Sequence, residues 1–401
     1  MANNQRGRAR LLSQTLRRFM ELESAGGIVL LGATAVALLW ANSPWAEGYD
    51  GLWATQVSVN LGPLHFDEDL HAVVNDGFMA LFFFVVGLEI KREVVTGELR
   101  DPRAVGLPVV AALGGMLVPA AIYGAFNAGG PGSAGWGIPM ATDIAFALGV
   151  AVLLGDRVPG SLRVFLLTLA IADDIGAILV IAVFYSGGLS WSWLALAVGG
   201  LALTAGLRRL GVWYVTAYVV VGVAVWFAMH ESGVHATIAG VALGLMTPAR
   251  PRRGEPVPVA ERLESSLHPW TSFGVVPVFA LANAGVPVGA GALGDALTSP
   301  VGLGIVGGLV AGKTLGITLG ARVAVRFGLG RLPEGVSWRQ LVPVAALAGI
   351  GFTVSLFISG LAFDDASLRE SATLAILVAS VLAAVLGSAL ATAAARPRRH
   401  R

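Results

Sequence analysis

Long apolar runs separated by short polar segments dominate the sequence between Gly26 and Ala394. Most of these runs are long enough to cross, as helices, the ~30 Å apolar layer of a bilayer. They are continuous rather than alternating, which favours transmembrane helices over a membrane barrel. The pattern predicts an all-α polytopic membrane protein with about 12 transmembrane helices. The predicted spans are 26–41, 72–90, 104–127, 135–154, 165–185, 191–207, 213–229, 233–246, 301–321 and 368–394, with one more ending near 283 and one around 349–353.

Two adjacent carboxylates, Asp173 and Asp174, lie at the middle of the predicted span 165–185. An aspartate at mid-membrane costs ~2.5–3.5 kcal/mol on insertion scales, so the pair costs roughly 5–7 kcal/mol. A pathway for ions or protons explains this cost better than a pair that only holds helices together. Neighbouring side chains on a helix point about 100° apart, so one aspartate can face a cavity while the other pairs with a cation.

The composition excludes a soluble globule, because 55% of the 401 residues are hydrophobic and only 13% are charged. The mean hydropathy is +0.75. The absence of cysteine excludes disulfides, thiolate metal sites and thiol nucleophiles. We therefore expect the chain to lie in the lipid bilayer and to bind no nucleic acid.

The basic residues are unevenly distributed along the chain. Of 27 Lys and Arg, Lys313 lies inside an apolar run and Arg369 on the predicted outer side, which leaves 25 on the inner side. This bias predicts that both termini are cytoplasmic. The first apolar run resembles a cleavable signal peptide, but its small residues lie inside the run, so we interpret it as a membrane span. Lys313 lies more than two turns from Arg322, too deep for a lysine that merely reaches back to the interface.

Two predicted spans are interrupted at mid-membrane by residues that do not favour helix. The interrupting residues are Pro139, Thr142 and Asp143 in one span and Gly349, Gly351 and Thr353 in the other. The triplet of spans 3 to 5 begins on the inner side, and the triplet of spans 10 to 12 begins on the outer side. This predicts an inverted repeat with two crossed broken helices, spans 4 and 11. Within one transporter domain, 1–401, we expect ion-translocating repeats at 104–186 and 300–394, panel helices at 11–103 and 190–283, and an outer hairpin near 53–66 with a turn from Asn60 to Pro63.

The ends of broken helices carry partial charges that need compensation at mid-membrane. Asp143 follows the first break and is suited to the positive ends, whereas Lys313 could neutralise the negative ends. Na⁺ prefers oxygen ligands, which unwound backbone, Asp174 and Thr142 would supply. Burial and mutual repulsion favour proton uptake by Asp173 and Asp174, so competition between a proton and Na⁺ for one site would produce antiport.

Polar residues at the ends of spans are further candidates. Asp76, near an outer end, is either a solvated helix end or part of an ion vestibule, and His235 fits a structural histidine. The inner ends carry Glu89, Arg92, Glu93, Glu264 and His268. Glu264 and His268 share a helix face at spacing i, i+4, which fits either a functional pair or an ordinary solvated helix start.

Eight segments occur in the order and spacing typical of one transporter family. They are SAGGIVLL, NDGFMALFFFVVGLEIKRE, GIPMATDIAFALG, IADDIGA, SGVHATIAG, RLESSLHPW, GKTLGI and GIGFTVSLFI. Over nearly all of 24–394 the chain therefore resembles the NhaA-type sodium/proton antiporters. One departure is Thr314, where the family usually has proline, and no motif covers the loop from Pro251 to Pro258.

The resemblance implies an electrogenic, pH-regulated antiporter that exports Na⁺ or Li⁺, one for two inward protons, by alternating access. It also implies a homodimer, paired through the outer hairpin, in the bacterial cytoplasmic (inner) membrane, with no enzymatic activity and no cofactor. The implied ion and proton site is Asp173, Asp174 and Thr142, with Asp143 and Lys313 as dipole compensators and Lys313 paired with Asp173. The other implied roles are the vestibule for Asp76, pH regulation for Glu89, Arg92, Glu93, Glu264 and His268, and the broken helix for Gly349, Gly351 and Thr353.

Two other classes of protein also place acidic residues within the membrane. An intramembrane aspartyl protease needs its aspartates on facing helices, one of them in a Gly-x-Gly-Asp motif, and neither Asp156 nor Asp295 lies in such a motif. A sodium-coupled organic-anion symporter of similar fold remains the alternative, although the buried aspartates with Lys313 favour protons.

Overall fold

A computed structural model describes residues 25–61, 64–100, 102–212, 214–251 and 257–395. As the apolar runs predicted, these residues are mostly helical. The helices before the Asp pair are α1 Ala25–Ala41, α2 Ala46–Trp53, α3 Leu70–Val95, α4 Pro102–Asn127 and α5 Ile144–Leu153, with a 3₁₀ segment at Ser133–Met140. The Asp pair lies on α6 Gly160–Phe184, which α7 Trp191–Arg209, α8 Val215–Glu231, α9 Thr237–Met246, α10 Val259–Trp270 and α11 Val276–Asn283 follow. The last helices are α12 Ala290–Thr298, α13 Pro300–Arg326, α14 Trp338–Leu347, α15 Phe352–Ala362 and α16 Ala366–Ala395.

Six helical segments among the described residues are long and apolar enough to cross a membrane, and up to eight are if each bent pair forms one span. The six are Leu70–Val95, Val105–Asn127, Ser133–Leu153, Gly160–Phe184, Pro300–Arg326 and Ala366–Ala395. The bent pairs are α1 with α2, at 116°, and α14 with α15, at 49°. The protein is therefore a polytopic helical membrane protein, while the count of twelve spans stays a prediction.

A two-stranded antiparallel hairpin precedes α3. Strand β1 Gln56–Leu61 pairs with β2 Leu64–Asp69, with Gln56 opposite Asp69. Residues 62 and 63, within the predicted turn, lie outside the described part of the chain. Asp69 ends β2 and accepts a hydrogen bond from the Ala72 backbone N–H at 2.7 Å, so the hairpin leads directly into α3.

Close backbone packing fixes the helices around the Asp pair. Where α4 meets α13, a Cβ added at either Gly114 or Gly316 would collide with the carbonyl oxygen of the other glycine. Helices that approach this closely need glycine at the contact, as is common in membranes. This contact holds α13, which carries Lys313, against the core of the bundle.

The chain leaves the helical conformation at both sites where the sequence predicts an interruption. The 3₁₀ segment ends at Met140, and α5 begins at Ile144 after three extended or irregular residues. Helix α14 ends at Leu347 and α15 begins at Phe352. Backbone groups in these gaps lack helical partners, so they must find hydrogen bonds elsewhere.

Candidate functional site

The two interruptions are hydrogen-bonded to each other. The backbone N–H of Asp143 donates to the carbonyl oxygen of Ile350 at 2.6 Å. The hydroxyl of Thr142 lies 2.8 Å from the carbonyl oxygen of Ala348. Each break therefore satisfies backbone groups that the other leaves without a helical partner.

The Asp143 carboxylate joins the amino ends of the helices that follow the breaks. It accepts from the backbone N–H of Phe146, in the first turn of α5, at 3.1 Å. Its other oxygen accepts from the N–H and the hydroxyl of Thr353, in α15, at 3.1 and 2.6 Å. One buried negative group thus faces the positive ends of both helices. Beside the second break, Gly349 permits close packing against α13, because a Cβ there would collide with the carbonyl oxygen of Leu309.

Asp173 and Lys313 form an ion pair that is completely buried. Both residues are 0% exposed, and the lysine Nζ lies 2.5 Å from the aspartate Oδ2. The Thr142 hydroxyl lies 2.7 Å from the same oxygen. Because that hydroxyl has one hydrogen and also faces the carbonyl oxygen of Ala348, it can donate to only one of the two acceptors at a time. Within the described residues, Asp173 Oδ1 is buried without a hydrogen-bond partner.

Asp174 faces a cavity of about 80 Å³. Thr142, Asp143 and Thr353 line the same cavity, whereas Asp173 is not among its lining residues. The volume is sufficient for several water molecules. Adjacent aspartates therefore have different environments, as their divergence on a helix predicts. Oxygen atoms of Asp174 and Thr142 are suited as ligands for a hard cation. Among the described residues, no three His, Asp or Glu side chains are arranged to hold a resident metal.

The charged residues predicted at the inner ends of spans form one cluster that shares this cavity. Arg92, on α3, forms ion pairs with Glu264, on α10, and with Glu93, the latter at 3.0 Å. Glu89, Glu264 and His268 line the cavity together with Asp174. Glu264 is 4% exposed, so the interpretation of a solvated helix start is wrong for this residue.

Burial changes the titration of the two α10 side chains. It raises the pKa of Glu264 to about 8, although the nearby Arg92 guanidinium opposes the rise. It lowers the pKa of His268, whose Nδ1 lies 2.9 Å from the Ser272 hydroxyl. Glu264 therefore titrates at mildly alkaline pH.

Asp76 belongs to a separate cluster that includes three residues the sequence did not indicate. Its Oδ2 lies 3.5 Å from His230 Nδ1, and the Nε2 of the same ring lies 3.4 Å from Glu68 Oε1, at the end of β2. Trp226 stacks on His230 and donates from Nε1 to the carbonyl oxygen of Asp76 at 2.9 Å. Asp76 thus links α3 to α8. His230, which joins Asp76 to Glu68, is distant from both in sequence and carries no local signal.

His235 makes a hydrogen-bond contact with the backbone, which fits a structural histidine. Its Nε2 lies 2.6 Å from the carbonyl oxygen of Tyr185, directly after α6. The Tyr185 hydroxyl donates to the carbonyl oxygen of Ala134 and accepts from the N–H of Gly137. These contacts connect the end of α6 to the 3₁₀ segment before the first break.

The fold and the site together define a polytopic membrane transporter: buried acids, a buried lysine and a small polar cavity lie among membrane-spanning helices. A family model described as Na+/H+ antiporter 1 matches residues 17–391. The chain belongs to this family of ion transporters, which are not enzymes and for which Na⁺ and H⁺ are the transported ions. The resemblance inferred from the motifs is confirmed.

Curated relatives are similar over nearly their whole length. The Na(+)/H(+) antiporter NhaA 2 of Sorangium cellulosum (strain So ce56) is 46% identical, over 97% of this chain and 92% of the relative. The Na(+)/H(+) antiporter NhaA of Shewanella sp. (strain ANA-3) is 49% identical, over 94% of this chain and 97% of the relative. The chain thus covers nearly the whole length of these relatives.

Proposed function

We propose that this protein exports Na⁺ or Li⁺ in exchange for protons that enter the cell, with Asp173 and Asp174 as the shared ion and proton site. The observation that carries the proposal is the buried Lys313–Asp173 pair beside a second aspartate that faces a cavity. A charge pair at 0% exposure is costly to maintain and therefore favours a role in transport over one in stability alone.

In the proposed cycle, a hydrated cation enters the cavity and binds oxygen atoms of Asp174, Thr142 and the irregular backbone of the first break. Protons compete for the same carboxylates, so cation binding and protonation exclude each other. The protonated and the cation-bound site can reorient, whereas the empty charged site cannot. Exchange then follows from competition, and Asp143 compensates the facing helix ends throughout.

The proposed stoichiometry is two protons for one Na⁺ or Li⁺. One proton binds Asp174, and the second binds within the Lys313–Asp173 pair when the cation is absent. Each cycle then moves one net charge inward, which a membrane potential drives with ~2.3 kcal/mol per 100 mV.

We assign pH regulation to the cluster of Glu89, Arg92, Glu93, Glu264 and His268. The support is that three of its members line the same cavity as Asp174. Because the pKa of Glu264 is about 8, alkalinisation adds a negative charge at the cavity and strengthens its ion pair with Arg92. In this proposal the cluster acts at the cavity through which the cation reaches Asp174. We assign Asp76 to an outer vestibule.

The same proposal includes the finer architecture. It places twelve spans in the bacterial inner membrane with both termini cytoplasmic, as the distribution of basic residues favours. The ion-translocating repeats are 104–186 and 300–394, with spans 4 and 11 crossed at their breaks. The panel helices are 11–103 and 190–283, and the hairpin pairs two copies into a homodimer. Hydrogen bonds between Asp143 and Ile350 and between Thr142 and Ala348 support this arrangement of the breaks.

The test uses inverted membrane vesicles with an imposed pH gradient and a pH-sensitive dye. Na⁺, Li⁺ and K⁺ are added separately, between pH 6 and 9, to vesicles with the wild type or with Asp174→Asn. We expect Na⁺ and Li⁺ to release protons from wild-type vesicles only. Sodium-dependent uptake of labelled organic anions without proton release would instead establish the symporter.

Electrogenicity is tested separately in proteoliposomes with equal pH on both sides and a potassium diffusion potential. We expect sodium movement to follow the sign of the potential. Sodium fluxes that ignore the potential would establish one-for-one exchange and would contradict the second proton.

A further inference from the structure

The helix that carries Lys313 changes its winding immediately before this residue. Within α13, Gly307–Gly312 forms a π-helical turn, and regular α-helix resumes at Lys313. Such turns accommodate an additional residue within a helix, are rare and occur frequently at functional sites. Since one residue corresponds to a rotation of about 100°, the winding of this turn determines the direction in which the lysine points.

Two glycines within or at the end of the turn pack against prolines on neighbouring elements. A Cβ at Gly308 would lie 2.7 Å from the Cβ of Pro139, in the 3₁₀ segment before the first break. A Cβ at Gly312 would lie 2.9 Å from the Cα of Pro119, on α4. The turn is thus seated against α4 and against the broken span, which favours a defined winding over one that varies.

The hydroxyl of Thr314, which follows the turn in sequence, forms a hydrogen bond with it. It donates to the carbonyl oxygen of Val310, inside the turn, at 2.7 Å. Thr318 makes the same type of bond one turn later, to the carbonyl oxygen of Thr314 at 2.7 Å, where the helix is regular. Threonine hydroxyls that bond back to a carbonyl four residues earlier often bend helices. The two residues form a matched pair, because the acceptor of Thr314 lies inside the turn and the acceptor of Thr318 lies outside it.

We propose that Thr314 is a positioning residue: its hydroxyl stabilises the π-helical turn that aims Lys313 at Asp173. If the turn relaxed to regular α-helix, the lysine would rotate away from a carboxylate that lies in a fully buried site. The effect of Thr314 on transport rests on the proposed role of the Lys313–Asp173 pair in exchange. The effect of Thr314 on the stability of that ion pair is independent of the proposed function.

The functional test compares Thr314→Val, which keeps the shape and removes the hydroxyl, with Thr314→Ser and with the matched control Thr318→Val. Exchange is measured in inverted vesicles from pH 6 to 9. A carboxylate whose counter-ion is displaced holds its proton to higher pH. We therefore expect the acid limb of the Thr314→Val profile to move to more alkaline pH by about 0.3–1 unit, the two- to tenfold change that one hydrogen bond supplies. Thr314→Ser and Thr318→Val should retain the wild-type profile. An unshifted Thr314→Val profile, or an equal shift in Thr318→Val, would overturn the proposal.

A second measurement separates this proposal from the proposed function. Melting temperatures in detergent are determined for Thr314→Val and Thr318→Val, each with and without Lys313→Ala. We expect the effect of Thr314→Val to shrink clearly once Lys313 is removed, and the effect of Thr318→Val to stay the same. Equal effects of Thr314→Val in both backgrounds would reject positioning. If Lys313→Ala itself leaves exchange unchanged, the proposed function of the pair fails, and the melting cycle still decides the role of Thr314.

Discussion

Replacing Lys313 by alanine should destabilise the folded protein far more than replacing Lys91, the only other lysine in the chain. The variant leaves the Asp173 carboxylate without its counter-ion at 0% exposure, with one oxygen already lacking a partner among the described residues. Breaking a buried ion pair in this way costs ~3–5 kcal/mol, a factor of roughly 100 to 4,000 in an unfolding equilibrium. Lys91 is only partly buried, and truncating a side chain of that kind costs about 0.5 kcal/mol or less.

The assay is thermal unfolding of the purified proteins in one detergent at one pH. We expect a clearly larger fall in melting temperature for Lys313→Ala than for Lys91→Ala. The double variant Lys313→Ala with Asp173→Asn should recover part of the loss, because it removes the uncompensated charge. Equal shifts for the two lysine variants, or a double variant less stable than Lys313→Ala, would refute the reasoning.

Three further predictions test other parts of the site. Asp174→Asn should abolish sodium-dependent proton flux while the protein still inserts and melts cooperatively, so wild-type flux would contradict its role. Burial raises the pKa of Glu264 from 4.5 to about 8. Between these two pH values the folded state retains a proton that the unfolded chain releases. The contribution of this group to stability therefore falls as pH rises through that range. Glu264→Gln should therefore melt with a weaker pH dependence between pH 5 and 8 than the wild type, and parallel curves would reject the shift. A protonated His230 can donate to both Glu68 and Asp76, so the melting effects of His230→Gln and Glu68→Gln should be non-additive at pH 6 and nearly additive at pH 9. Additivity at both pH values would count against this contact.

Local signals in the sequence predicted the parts of the site that depend on local chemistry. A proline without an N–H and glycines with adjacent threonines predicted where the chain leaves the helical conformation, and α14 ends at Leu347 as the GIGFT segment suggests. The divergence of neighbours on a helix predicted that Asp173 and Asp174 face different surroundings. These inferences require only dihedral preferences and helical geometry.

Other features depend on tertiary packing and have no local signal. Asp173 and Lys313 are 140 residues apart, and only the family resemblance paired them. The contact of His230 with Glu68 joins a helix end to a hairpin strand, which periodicity does not reveal. The π-helical turn at Gly307–Gly312 reads in sequence as ordinary apolar helix, since the prolines that pack against it lie on other elements.

The single hydrogen of the Thr142 hydroxyl connects the charge of one carboxylate to the geometry of a distant helix end. When Asp173 is ionised, the hydrogen is drawn to its oxygen, and the carbonyl oxygen of Ala348 loses a donor. When Asp173 carries a proton, the hydroxyl is free to turn towards that carbonyl oxygen and secure the end of α14. Rotation about the C–O bond of Thr142 would then couple the protonation of Asp173, on α6, to the hydrogen bonding at the end of α14.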